Sequence, residues 1–210
     1  MRFEKLARAL AFGALLTASA AQAALIEGTP TPFGLPADPM PRFGTLIDFD
    51  DGTTGTPLAA NQYVGMGVTS IANTLGPQLQ YFPTSQSAPN YIGTGPSANN
   101  WEADILVEFA ALQAAVGIGI AGPTTLQFEL LDGAMAVLEG YSLRTTPTNT
   151  YYFINRASPD VRYLRVAGDF VAIDDLQFDV QTVSVPEPAT LALLGLALAG
   201  LGFSRRKLKQ

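Results

Sequence analysis

The sequence predicts an all-β chain: a single antiparallel β-sandwich set between an N-terminal leader and a C-terminal hydrophobic tail. Three observations predict it. Short apolar runs alternate with polar residues at period two, and clusters of Gly, Pro, Asn and Thr interrupt them roughly every eight to twelve residues. No segment between Gly44 and Val183 carries a helical period bounded by caps.

The leader is Met1 to Ala23. It has a basic start (Arg2, Lys5, Arg8), an apolar stretch, and Ala21-Gln22-Ala23 as an A-x-A cleavage site. That is the pattern of a secretory signal peptide handled by Sec-type export machinery, with cleavage after Ala23. Residues 24–43 read as a linker, because Thr29 to Pro41 holds five prolines in thirteen residues and such a stretch favours an extended, semi-rigid spacer.

Residues 44–182 read as the sandwich, with roughly nine or ten strands. In ADILVEF (103–109), Ile105, Val107 and Phe109 fall on one side and Asp104 and Glu108 on the other. In TLQFELL (125–131), Leu126, Phe128 and Leu130 repeat the pattern against Gln127 and Glu129. Residues 183–210 form the tail.

Charge excludes several partners. Three of the 12 Lys+Arg precede Ala24 and four follow Val185, while only Glu4 and Glu187 of the 18 Asp+Glu lie outside that interval. Five arginines (Arg42, Arg144, Arg156, Arg162, Arg165) therefore face sixteen acids, a net charge of −11. An acidic domain without lysine is repelled by phosphate backbones and by anionic lipid, so no nucleic-acid partner is expected. There is no Cys and no His, which excludes disulfides, thiol or imidazole catalysis and Cys/His zinc sites.

Several motifs need weighing. Gly117-Ile118-Gly119-Ile120-Ala121-Gly122 matches G-x-G-x-x-G, but Pro123-Thr124-Thr125 follows where a phosphate-binding helix would have to start. The glycines read as a tightly packed strand and turn, and no nucleotide cofactor is expected. Asp48-Phe49-Asp50-Asp51-Gly52-Thr53 resembles the D-x-D-G-T loop of haloacid-dehalogenase-type phosphatases, but Phe49 stands where the nucleophile belongs. It is no EF-hand loop either, since Ala59 occupies the twelfth position.

Glu102, Asp104 and Glu108 resemble the E-x-D-x-E strand of laminarinase-like glycosidases, but Leu106 replaces the second glutamate. Glu102 and Glu108 are about 20 Å apart along a strand, whereas a retaining pair needs about 5.5 Å. The run reads as a solvated carboxylate face, and the domain is expected to be no enzyme.

The aspartates at the two ends of the domain pair more suggestively. The opening strand with Asp48, Asp50 and Asp51 and the closing strand with Asp174 and Asp175 resemble the first and last strands of an exported jelly-roll domain. In that family the two strands are neighbours, and the resemblance implies a structural Ca²⁺ ion held by such carboxylates. Candidate ligand contacts are Trp101 and Tyr91, flanking a Gly/Ser/Asn/Pro loop, with Asn99 and Asn100 beside the indole. Tyr81, Tyr151 and Tyr152 are further aromatic candidates.

The tail has three parts: Pro186-Glu187-Pro188, fifteen uncharged residues from Ala189 to Phe203, and bases at Arg205, Arg206, Lys207 and Lys209. Fifteen helical residues span about 22 Å, short of a ~30 Å hydrocarbon core. The basic cluster fixes the cytoplasmic side, and the two prolines present Glu187 in an extended form open to a processing enzyme. These parts, in this order, resemble the PEP-CTERM sorting signal of exosortase substrates. The resemblance implies export across the inner membrane of a Gram-negative type cell, transient anchoring by the C-terminal transmembrane helix, and recognition by an exosortase. It also implies association with the cell surface or a biofilm matrix of extracellular polysaccharide. The expected activity is non-catalytic carbohydrate binding. The competing expectations are a purely structural glycosylated matrix protein and a glycoside hydrolase that uses acidic residues alone.

Overall fold

The structure is a computed structural model that describes residues 23–29, 31–32, 42–83, 87–94, 102–122, 124–144 and 148–181. The described residues form thirteen strands: β1 Leu25–Glu27, β2 Thr31–Pro32, β3 Thr45–Ile47, β4 Val68–Asn73, β5 Leu79–Pro83, β6 Asn90–Thr94, β7 Glu102–Gln113, β8 Ala115–Gly122, β9 Thr125–Leu131, β10 Val137–Arg144, β11 Thr148–Asn155, β12 Val161–Asp169 and β13 Ala172–Asp179. One sheet runs β1-β11-β8-β13-β6-β5, with β2 also on β11 and β3 also on β13. The other runs β10-β9-β12-β7-β4. All pairings are antiparallel, so the chain is an all-β sandwich.

The core lies between the sheets and follows the alternation. Ile105, Val107 and Phe109 of β7 and Leu126, Phe128 and Leu130 of β9 point inward, each at 0% exposure. The partner sheet contributes Val116, Ile118 and Ile120 of β8, Ile154 of β11 and Ile173, Leu176 and Phe178 of β13. Phe109 meets Phe178 at a ring separation of 5.0 Å, and Phe128 meets Tyr152 at 6.3 Å. Truncating Phe128 to Ala would cost about 3–5 kcal/mol through lost transfer energy and an unfilled cavity.

Two findings depart from the simple alternation. Strands β8 and β13 are buried along almost their whole length, on both faces, because their sheet is covered on its outer side as well. There Phe43 packs on Phe153 at 4.8 Å, and a Cβ at Gly117 would stand 3.2 Å from the Phe43 ring. The G-x-G-x-x-G run is thus a strand whose small residues admit aromatic rings.

The second finding concerns residues 24–43, the stretch expected as a linker. Residues 25–27 and 31–32 are strands paired with β11, so the stretch expected to be a spacer from residue 24 begins inside the sheet. Leu25 and Ala23 close the edge of the core, and burying apolar side chains outweighs the extended preference of the prolines that follow.

Among the described residues no helix is long and apolar enough to cross a membrane. The expected tail helix at Ala189–Phe203 and the leader to Gln22 lie outside the described residues.

Candidate functional site

The outer face of the larger sheet gathers the chemistry. Ile92 of β6 and Ile173 of β13 pair with each other and point into the core, so Tyr91 and Asp174 next to them point the opposite way. The register pairs Phe82 with Tyr91, Asp174 with Gly119, and Gly119 with Tyr151. Continuing the Ile173–Ile92 register by one residue sets Asp174 beside Tyr91. The result is a transverse row, Phe82–Tyr91–Asp174–Gly119–Tyr151, crossing five strands over about 19 Å.

Each member has a definite environment. Phe82 and Tyr91 are half-buried and stacked, with centroids 5.5 Å apart at 21°, and burial raises the Tyr91 phenol above its ordinary range. Gly119 is the floor: a Cβ there would lie 2.8 Å from the Tyr151 ring, which leans across it. The Tyr151 hydroxyl donates to Asp175 Oδ2, and burial followed by this hydrogen bond and the charge of Asp175 holds the phenol far above its usual titration.

Asp174 and Asp175 sit where β13 bulges. The register shifts between Asp174 and Gln177, and Asp175 takes φ +46°, a left-handed conformation that aspartate tolerates better than most residues. This places two consecutive carboxylates on the outer side. Asp174 is fully buried. Its Oδ2 accepts from Ser87 N–H at 2.9 Å and Ser87 Oγ–H at 3.1 Å, and its Oδ1 accepts from Asp175 N–H at 2.9 Å. Burial, and then the neighbouring Asp175 charge, push the Asp174 carboxyl up to about 8 against those hydrogen bonds.

The opening aspartates arrive from β3, which pairs with β13 through Ile47 and Leu176, the adjacency that the jelly-roll resemblance implies. Asp50 Oδ1 accepts from Asn90 N–H at 2.9 Å. Burial raises the Asp50 carboxyl, Asn90 opposes the rise, and the charges of Asp48, Asp175 and Asp51 add to it. Asp51 turns elsewhere, accepting from Tyr63 Oη–H at 2.7 Å and Gln62 Nε2–H at 3.2 Å. Asp48 is exposed and accepts from Asp50 N–H at 3.3 Å.

Asp50 thus lies within reach of the Asp48, Asp175 and Asp51 charges, Asp174 adjoins Asp175, and Asp51 is drawn to Tyr63 and Gln62. Among the described residues no group of three or more acidic side chains is placed to hold a metal ion. Calcium prefers six to eight oxygens free to turn toward it, whereas the carboxylates here are engaged by Ser87, Tyr151, Asn90, Tyr63 and Gln62. The side chains as placed do not form a calcium shell.

Among the other expected contacts, Tyr91 is in the row, while Trp101, Asn99 and Asn100 lie outside the described residues. Tyr81 and Tyr152 are core residues. Pro186, Glu187, Pro188, Arg205, Arg206 and Ala21 also lie outside the described residues, while Ala23 is described. Phe82 and Ser87 were not anticipated. The alternation in LQYFP, which turns Phe82 opposite to buried Tyr81, was the available signal for the first. Nothing local signals Ser87.

Of the glycosidase-like acids, Asp104 and Glu108 lie on the outer face of the other sheet and are tied to arginines. Arg165 grips Asp104 at 2.6 and 3.0 Å and Glu129 at 3.0 Å, and Arg162 holds Glu108 at 2.8 Å. Burial alone would raise Asp104, but the Arg165 and Thr74 hydrogen bonds lower it below its ordinary value.

Comparison with known proteins adds one assignment. Residues 184–207 match the family model described as the PEP-CTERM protein-sorting motif. The tail is that motif, the mark of an exported protein processed by an exosortase. A search of the curated proteins finds no match. Among solved structures, an arabinose-bound MgGH51 α-L-arabinofuranosidase aligns at 13% identity and a TM-score of 0.32, over 72% of this chain and 32% of that one. The chain thus spans about a third of that enzyme's length, and no functional reading is taken from the likeness.

Proposed function

We propose that the domain is a non-catalytic binding module of the cell surface or extracellular matrix, and that it binds polysaccharide at the β5–β6 edge of the larger sheet. Phe82 and Tyr91, half-buried and stacked at that edge, support this reading. Their half-buried rings offer flat apolar faces to a pyranose ring, and Ser87 near them offers a hydroxyl to the sugar's own.

The placement of the acids also favours binding over hydrolysis. Asp104 and Glu108 are committed to arginines, and Asp174 is enclosed by Ser87 and the bulge. The competing reading, a glycosylated matrix protein that binds nothing, makes a different prediction in the same assay.

The test is titration of the exported protein against a panel of soluble polysaccharides by calorimetry. Saturable binding, weakened at least about tenfold (~1.4 kcal/mol) by Tyr91→Ala or Phe82→Ala with little change in Tm, is the expected result. Absence of binding across the panel, or binding indifferent to both substitutions, sinks the proposal. Release of reducing ends would move the protein to the hydrolase class.

A further inference from the structure

The expected leader cleavage site and the folded domain meet at one place. Strand β1 lies on β11, pairing Leu25 with Ile154 and Glu27 with Tyr152. It borders the side of the sandwich where β1 and β10 are the edge strands of the two sheets. There Ala23, Leu25, Leu138 and Tyr141 pack against the core. The Ala23 N–H donates to Glu139 Oε1 at 3.2 Å, and the Tyr141 hydroxyl donates to the Ala23 carbonyl at 2.8 Å.

Glu139 is a buried carboxylate, 2% exposed, in the middle of this contact. Its Oε1 is shared with the Arg156 guanidinium, which also holds Asp160 at 2.6 and 2.8 Å. Its Oε2 is buried and takes no hydrogen bond from any described residue. The cluster thus combines two carboxylates with one guanidinium. It is one positive charge short, and its unsatisfied atom is a buried carboxylate oxygen.

Removing the leader supplies the missing charge. Hydrolysis of the Ala23–Ala24 peptide bond consumes one water. Ala23 leaves as a carboxylate with the leader, and the Ala24 nitrogen becomes an ammonium. Glu139 and Tyr141 lose their Ala23 partners in that step and gain a neighbouring cation with three N–H donors. Strand β1 keeps Ala24 at this edge through the Leu25–Ile154 pair, one residue from where the Ala23 N–H stood.

We infer that Glu139, Tyr141 and Arg156 form a seat for the mature N-terminus, in which the α-ammonium of Ala24 pairs with Glu139 Oε2. The groups facing it are Glu139 and Tyr141 from β10 and Arg156 with Asp160 from the β11–β12 connection. Leader removal then completes the fold instead of merely shortening the chain. The inference rests on the export reading through the cleavage after Ala23.

The experiment compares the chain from Ala24 to Gln210 with its α-amine free and with that amine acetylated, in the native and Glu139→Gln backgrounds. The free amine is expected to titrate at least about one unit above the ordinary α-amino range of roughly 7.7–8.0. A raised folded-state pKa stabilises fully below the unfolded value and is lost as pH rises through the folded one. The free form should therefore melt about 2–4 °C above the acetylated form at pH 7. The gap should close in strong alkali and be absent with Glu139→Gln. An ordinary amine pKa, or equal melting at pH 7, overturns the inference. If Glu139→Gln does not fold, the amine titration of the native chain decides alone. N-terminal sequencing of the exported protein checks the premise: a start other than Ala24 overturns the seat and leaves the polysaccharide reading untouched.

Discussion

Asp174 Oδ2 accepts two hydrogen bonds from one residue, Ser87, whose N–H stands at 2.9 Å and whose hydroxyl stands at 3.1 Å, across 87 positions of sequence. This double contact ties the β5–β6 connection to the bulge in β13. It also encloses a carboxyl that burial and Asp175 push up to about 8, so the folded state holds a proton that the unfolded chain releases near pH 4.

Stability from this proton is full below pH ~4 and is lost as pH rises toward 8, with a limiting slope of about 1.4 kcal/mol per pH unit for one proton. Urea denaturation at pH 5 and pH 8 should show the native protein weaker at pH 8, and Asp174→Asn should flatten that difference. An unchanged slope in the variant would place the titration elsewhere.

Gly119→Ala tests the floor of the row. Its Cβ would meet the Tyr151 ring at 2.8 Å and the Asp174 carbonyl oxygen at 3.2 Å. The ring must move and release Asp175, at a cost of about 1–3 kcal/mol. Gly52→Ala is the control away from the row. Its Cβ would fall 2.3 Å from the Tyr81 ring, so it should destabilise by a similar amount while sparing the Tyr91 surface. Chemical denaturation of both variants measures the two costs.

Arg165 joins β7, β12 and β9 through Asp104 and Glu129. Its side chain is 38% exposed, so Arg165→Met should cost no more than about 1 kcal/mol, and less in high salt. Because Arg165 and Thr74 hold Asp104 below its ordinary pKa, this contribution is present above pH ~4 and lost as pH falls. The variant should show a flatter acid limb in a pH series of melting curves.

Calcium is tested by a thermal shift. The carboxylates of the two aspartate runs are engaged by protein donors, so EDTA followed by Ca²⁺ should leave Tm unchanged. A Ca²⁺-dependent rise, abolished by Asp50→Asn or Asp175→Asn, would show that these side chains turn to a common ion.

The strand faces were legible wherever one side of a strand is wet. ADILVEF and TLQFELL print their inward residues at every second position, and the structure buries those residues. The neighbourhood of the two aspartate runs was legible through the resemblance of the opening and closing strands, and β3 does pair with β13. Which aspartates meet was not legible, because the answer depends on the bulge at Asp175, and a one-residue irregularity leaves no mark in a period-two pattern. Strand β1 was hidden for a related reason. Three residues beside a proline-rich run carry too little period to announce a strand, and their place is decided by the open edge of β11.

The sequence by itself determined the all-β class, the sandwich alternation, the absence of thiol and imidazole chemistry, and the sorting motif at residues 184–207. These are properties of composition and of local order, which survive in one dimension. The tertiary structure alone decided that Gly119 floors a row between Tyr151 and Asp174, that Ser87 encloses Asp174, and that Ala23 lies against Glu139. Each of these joins residues far apart in the chain. Such contacts are fixed by strand order and register, and those follow from the burial of all the strands together.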